Sequence, residues 1–185
     1  MFNKFKNTKI IITGHTGFKG SWLTLWLNLL GARIIGISND KPSKLSHFEK
    51  LNINKNIINI KLDIRNLKKL EKVFLRYQPD FVFHLAAQSL VKKSYTNPVE
   101  TITKNTIGTM NVLESLKKIK KKFVAVIITS DKSYKNLEIN RGYRENDLLG
   151  GKDPYSASKG AAELIIQSYI NSYFKKNKKQ NIAVA

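Results

Sequence analysis

Residues 8–20 read TKIIITGHTGFKG, and this segment restricts the fold more tightly than any other part of the chain. An apolar run (Ile10, Ile11, Ile12) leads into Thr13 and then into Gly14, Gly17 and Gly20, spaced by three. A buried strand that turns on glycine into a helix is how an open α/β sheet accommodates a dinucleotide. The first glycine permits the turn, the second lets backbone N–H groups approach a pyrophosphate, and the third lets the helix pack on the strand. Thr16, Phe18 and Lys19 lie among these glycines and are expected to line the cofactor with them. An apolar helix follows, carrying Trp22, Leu23, Leu25, Trp26, Leu27, Leu29 and Leu30.

Strand and helix patterns then alternate. Apolar runs predict strands over 9–13, 33–38, 57–61, 81–85 and 123–129, with a last strand opening near 181–182. Helical stretches fall between them at 18–30, 66–77, 98–118 and 154–174. Gly31 closes the first helix, and Pro79-Asp80 separates another from its strand. Alternation of this kind predicts an α/β fold, a Rossmann-type doubly wound parallel sheet with helices on both faces. At 185 residues and 42% hydrophobic content the chain is expected to form one globular domain, 1–185. No stretch approaches the roughly 18 consecutive apolar residues of a membrane span. The first ten residues, MFNKFKNTKI, lack the apolar core of a secretory signal. With no cysteine there is no disulfide framework and no thiolate site, which fits a reducing cytoplasm. The last strand stops at its opening residues, so the expectation is a truncated domain, part of something longer.

The formal net charge of +20 asks what the lysines serve. Clustered lysine supplies phosphate contacts to nucleic acid. Here the lysines are scattered, with local runs at 117–122 and 175–179 and no interleaved aromatics to make a stacking platform. The sequence therefore favours solvated lysine faces over nucleic acid binding, with a positive field that attracts an anionic substrate.

Chemistry-bearing residues recur where strands end. Asp40, after the second strand, has the spacing of an acidic group that accepts the adenosine ribose hydroxyls and repels a 2′-phosphate, favouring NAD. The competing reading is a turn aspartate in Asn39-Asp40-Lys41-Pro42. Asp63 and Ile64 close the third strand, where a side chain and a backbone N–H meet the adenine; Asp63 also reads as a helix N-cap. Leu85, Ala86 and Ala87 end the fourth strand, where small residues leave room for a cofactor at the switch point. His84 sits inside an apolar run and reads as a packed core histidine. Tyr155 and Lys159 lie four apart on a predicted helix and so share a face. An ammonium beside a phenol favours the phenolate, which takes a proton from an alcohol as hydride leaves carbon. Ser130, Asp131 and Lys132 follow the fifth strand at the same sheet edge. Alcohol oxidation needs one hydroxyl beside Tyr155; an added acid and base suit an elimination. An exposed Asp131-Lys132 turn pair is the other reading.

The ordered set Thr13-Gly14-xx-Gly17-xx-Gly20, His84-Leu85-Ala86-Ala87, Asn105-xx-Gly108-Thr109, Thr129-Ser130-Asp131-Lys132 and Tyr155-xxx-Lys159 resembles the extended short-chain dehydrogenase/reductases that act on nucleotide sugars. TGHTGFKGSWL (13–23), ITSDKSY (128–134) and GYRENDLLGGKDPYSASKG (142–160) are most similar to the CDP-glucose 4,6-dehydratase group of that family. The likeness covers essentially the whole chain. Members are about twice as long, and their second half supplies most of the sugar-nucleotide site. The resemblance implies a hydro-lyase with tightly held NAD and CDP-glucose as substrate, serving deoxysugar synthesis for lipopolysaccharide O-antigen. It implies that Tyr155, helped by Ser130 and Lys159, takes the 4-hydroxyl proton, and that Asp131 protonates the departing 6-hydroxyl. Lys132 stands where many relatives carry a glutamate that removes the C5 proton, and a lysine does this only where its neutral form is favoured. Lys159 also holds the nicotinamide ribose, Asn105 supports the cofactor side, and Gln88 and Ser89 touch the sugar. Relatives pair as homodimers through the helices equivalent to 98–118 and 154–174. Two other readings stay open: an epimerase or reductase on the same scaffold, which dispenses with Asp131 and Lys132, and a non-catalytic dinucleotide- or nucleic-acid-binding module. The residues point to no metal.

Overall fold

The computed structural model describes residues 2–41, 43, 45–175 and 179–185. Pro42 of the Asp40 turn and the middle of the 175–179 basic run lie outside the described residues. Six parallel strands form one sheet in the order β3-β2-β1-β4-β5-β6. They are β1 (Lys9–Thr13), β2 (Arg33–Ser38), β3 (Ile58–Lys61), β4 (Phe81–His84), β5 (Phe123–Ile127) and β6 (Gln180–Val184). The order reverses between β1 and β4, which pair Ile10 with Phe81 through Thr13 with His84. Their carboxyl ends therefore diverge into a crevice, the place where open α/β sheets bind ligands.

Helices connect the strands: α1 (Phe18–Leu29), α2 (His47–Lys50), α3 (Leu67–Tyr77), α4 (Val91–Thr96), α5 (Pro98–Ile102), α6 (Gly108–Leu116) and α7 (Pro154–Tyr169). A π-turn at Thr103–Ile107 joins α5 to α6, so the predicted helix over 98–118 is continuous but widened in its middle. Short α2 and α4 have no periodic signal in the sequence. On one sheet face Ile11, Ile35, Val82, Ala125 and Ile127 pack against Leu70, Phe74, Val112, Leu113 and Ile166 from α3, α6 and α7. On the other, Ile10, Ile12 and Ile34 pack against Leu27 of α1.

α1 meets the sheet through Gly20, Ser21, Thr24 and Leu27, its small-residue side. Trp22 and Trp26 lie on its outer face, where Trp22 stacks on His47 with ring centroids 4.2 Å apart. Gly31, at φ 80°, ends the helix as its N–H donates to Asn28 O while Ala32 N–H donates to Leu27 O. α7 begins at Pro154 behind Asp153, whose carboxylate accepts from Ser156 N–H at 3.0 Å and from Ser156 Oγ at 2.6 Å. The N-cap of α3 is Asn66, which accepts from Lys69 N–H at 3.1 Å. This corrects the N-cap reading of Asp63: its carboxylate turns instead to Arg65, accepting from the backbone N–H at 2.9 Å and pairing with the guanidinium at 2.6 Å.

Three of the five lysines in the run at 117–122 pair with acidic partners. Lys117 pairs with Glu114, Lys118 with Glu71 and Lys121 with Asp80. No helix among the described residues is long and apolar enough to cross a membrane.

Candidate active site at the sheet's switch point

A cleft of about 1230 Å³ opens along the carboxyl edge of the sheet. Of the predicted site residues, all but Asn105 and Lys132 line it. One wall is the glycine turn. Gly14, at φ 75°, sits where a Cβ would lie 2.7 Å from Ala86 N, and a Cβ on Gly20 would lie 2.1 Å from Gly14 O. Both positions exclude any side chain, so strand, turn and helix approach as the spacing predicts. Gly14 N–H donates to Ile37 O at 2.7 Å, tying the turn to β2. The N-cap of α1 is Gly17, which has no side chain to cap with. The first-turn N–H groups at Phe18 and Lys19 are thus left for an anion. Thr16 Oγ1 donates to Asp40 O at 2.6 Å and accepts from Ser38 Oγ at 2.8 Å, which pins the Asp40 segment to the turn. Asp63 and Ile64 continue this wall. The Arg65 guanidinium holds the Asp63 carboxyl below its ordinary range, against the upward pull of burial.

The loop after β4 forms the floor. Leu85 N–H donates to Thr13 O at 3.0 Å, and Ala86 N–H to Thr13 Oγ1 at 3.3 Å. Asn105 is buried behind it, inside the π-turn. Its Oδ1 accepts from Gln88 N–H at 2.7 Å, and its Nδ2 donates to Gln88 O at 3.0 Å and to Ser158 Oγ at 2.9 Å. Asn105 therefore supports the site from beneath, clamping the β4 loop to α7. Gln88 is nearly as buried, and its amide is occupied by Leu90 and Thr101. Exposed Ser89 is the freer of the two predicted sugar contacts. His84 is a packed core histidine: its ring nitrogens bond Thr13 Oγ1 at 2.6 Å and Thr109 Oγ1 at 2.9 Å. Burial, with Lys159 nearby, lowers its pKa to about 3.

The opposite wall carries the acid–base groups. Tyr155 and Lys159, both buried, project from the first turns of α7. Desolvation pulls the Lys159 pKa down, Glu163 opposes this, and Lys19 adds to it. Ser130 caps a 3₁₀ turn (Asp131–Ser133), accepting from Lys132 N–H at 3.2 Å and donating to Asp131 Oδ1 at 3.1 Å. Asp131 and Lys132 form an open pair at 3.4 Å, with side chains 77% and 60% exposed. Burial is the largest single influence on Asp131 and pushes its pKa up, but the hydrogen bonds from Ser130 and Lys132 and the Lys132 charge together outweigh it and hold the carboxyl below its ordinary range. Lys132 does not line the cleft itself and reaches it only through its pair with Asp131.

Several lining residues carry no sequence signal of their own. Lys93 and Lys104 reach the cleft from α4 and the π-turn, both bound to Glu100. Glu163 and Gln167 extend the Tyr155–Lys159 face along α7 at helical spacing, which the period of that helix does encode. No group of three or more metal-ligating side chains occurs among the described residues.

Residues 11–177 match the model of the GDP-mannose 4,6 dehydratase family. The chain belongs to this family. A CDP-glucose 4,6-dehydratase of Salmonella typhimurium is 45% identical over 172 residues, covering 93% of this chain and 48% of that protein. An epimerase from Methanothermobacter thermautotrophicus superposes with a TM-score of 0.83 at 28% identity, over 99% of this chain and 52% of that one. The UDP-glucose 4-epimerase of Thermus thermophilus, solved with NAD, superposes at 0.75 with 27% identity, over 89% and 51%. The chain thus spans about half the length of the family members it matches.

Proposed function

We propose that this chain is the cofactor-binding part of a cytoplasmic nucleotide-sugar 4,6-dehydratase that holds NAD and acts on CDP-glucose. One observation carries the reading: a single cleft faces the glycine turn and Asp40 on one side and Ser130, Asp131, Tyr155 and Lys159 on the other. The residues present fit NAD. Bare first-turn N–H groups at the Gly17 cap suit a pyrophosphate, and Asp40 suits an unphosphorylated ribose. The choice of CDP-glucose is supported by the 45% identical relative.

A bound NAD supplies the hydride acceptor and donor of a redox-neutral sequence. Tyr155, beside the Lys159 ammonium, takes the proton of the sugar 4-hydroxyl, with the Ser130 hydroxyl in hydrogen-bonding support. The resulting 4-keto group acidifies the C5 proton. Loss of that proton and of the 6-hydroxyl, protonated by Asp131 to leave as water, completes the elimination across C5–C6. Asp131 is ionised beside Lys132, so its acid role requires substrate binding to separate the two. Lys132 is the proposed C5 base, a role that requires its neutral form at the site.

The test is product analysis by NMR with CDP-glucose, using the protein expressed from its natural reading frame. Tyr155→Phe is expected to keep its NAD affinity and lose turnover by about 10²–10⁴-fold. Asp131→Asn is expected to retain C4 oxidation and lose water elimination; undiminished conversion by Asp131→Asn would favour an epimerase. We also propose a homodimer through α5, α6 and α7, supported by exposed Val99, Ile102 and Leu164 on those helices. The pairing of Lys117, Lys118 and Lys121 with acids supports solvated lysines over a nucleic acid surface.

A further inference from the structure

Glu163 belongs to none of the motifs, yet its carboxylate lines the cleft. It lies one helical turn beyond Lys159 on α7, and its Oε1 accepts from Thr129 Oγ1 at 2.5 Å. Thr129 is the residue immediately before Ser130, and its own N–H donates to Ala185 O at 2.7 Å beside β6. Glu163 is therefore a side-chain hydrogen-bonded link, added to the packing of the 131–133 turn on α7, between the strand end that carries Ser130 and the helix that carries Tyr155 and Lys159. No other hydrogen bond between side chains of Thr129–Lys132 and α7 is seen among the described residues.

Charge points the same way. Lys159 is buried on α7 with Tyr155 one turn before it and Glu163 one turn after it, all three lining the cleft, and its charge is felt by Glu163, by Lys19 of α1 and by the His84 ring of β4. Lys19 opposes a second positive charge, and His84 offers it none to pair with. Of these groups, Glu163 brings the negative charge. A carboxylate accepting from a neutral hydroxyl keeps its charge and gains a strong, short bond, so one group serves both purposes.

We propose that Glu163 is a positioning residue of the dehydratase site: it fixes Ser130 against the Tyr155–Lys159 helix through Thr129 and supplies the counter-charge of the Lys159 ammonium. The role given to Lys159 rests on the reading above, so the decisive measurement does not depend on turnover. In protein labelled with ¹³C-lysine, the Lys159 side-chain resonance is assigned by its loss in Lys159→Met and titrated by NMR. Glu163→Gln keeps an acceptor for Thr129 and removes the charge; the Lys159 titration is expected to move to lower pH, taking the alkaline limb of the turnover profile with it. Thr129→Val keeps the charge and removes the link; turnover is expected to fall about tenfold at every pH, as loss of about 1.4 kcal/mol of alignment would give, with the Lys159 titration in place. Glu163→Asp, which keeps the charge on a shorter arm, is expected to behave as Thr129→Val does. A Lys159 titration unmoved by Glu163→Gln overturns the proposal. Wild-type turnover in Tyr155→Phe would instead overturn the catalytic reading and leave the titration to judge Glu163.

Discussion

His84 shows how one buried side chain can organise a site without entering its chemistry. Thr109 Oγ1 donates to Asn105 O at 2.7 Å, so it can only accept from the ring, which places a proton on His84 Nε2. Nδ1 then accepts from Thr13 Oγ1, which in turn accepts from Ala86 N–H. A directed chain of bonds thus runs from the cleft floor through β4 to the π-turn. Protonating the ring would reverse one of these bonds, and burial disfavours the charge further, consistent with a pKa of about 3. Between pH 6.5 and about 3 the unfolded chain binds a proton that the folded chain does not. Stability from this group is complete above about pH 6.5 and is lost as pH falls, at up to about 1.4 kcal/mol per pH unit. Urea midpoints from about pH 7 to 4 should therefore decline steeply, and His84→Gln should decline less steeply from a lower start. Asn105→Ala removes the acceptor of Gln88 N–H and the donor to Gln88 O and Ser158 Oγ in a buried setting, leaving Ser158 its bond to Tyr155 O. It should cost about 1–3 kcal/mol of stability and weaken NAD binding, both measurable by denaturation and fluorescence titration.

At the scale of elements, α7 is the part whose start matters most, because Tyr155 is its second residue. Asp153 and Pro154 set that start: proline supplies a helical φ with no N–H to satisfy, and aspartate answers two donors of Ser156. Asp153→Ala should lower the unfolding free energy by about 1 kcal/mol and reduce turnover more than it reduces NAD affinity. An equal fall in both would place its effect on the fold alone. The long helix formed by α5 and α6 makes a different compromise. Its π-turn spends one residue to point Asn105 inward at the β4 loop, a device recurrent at functional sites. α1 buries small residues rather than its tryptophans, since the glycine turn brings it too close to the sheet for indole rings.

For the molecule as a whole, the cleft joins both halves of the sheet, so a ligand that fills it should stabilise the entire fold. NAD at about 100 times its dissociation constant should add about 2.7 kcal/mol, visible as a rise in Tm. Asp40 lines the cleft, and its proposed ribose role predicts that NADP adds far less; an equal rise with NADP would remove Asp40 from ribose recognition. Exposed Val99 and Leu164 on neighbouring helices place an apolar strip on the face proposed for pairing. Replacing both with lysine should shift sedimentation from dimer to monomer while leaving the circular dichroism unchanged.

How much of this was legible follows from what each signal depends on. Strand–helix alternation, the glycine turn and the four-residue step from Tyr155 to Lys159 are local: each follows from backbone sterics and helical period, and each stands where the sequence places it. His84 was also readable as core, because its neighbours are apolar. Asp63 reads equally as cap or ligand, since an aspartate's hydrogen-bond choice is made by whichever donor the fold brings nearest, here Arg65. Glu163, Lys93 and Lys104 join the cleft by approach of α4, the π-turn and α7 to strand ends far away in sequence. Lys132 lies in the 3₁₀ turn after Ser130 and is left off the cleft lining, paired instead with Asp131. Sequence alone determined which elements form and where the dinucleotide turn lies, because those depend on short-range geometry. Tertiary structure alone decided which charges meet across the cleft, because that depends on how separate elements pack.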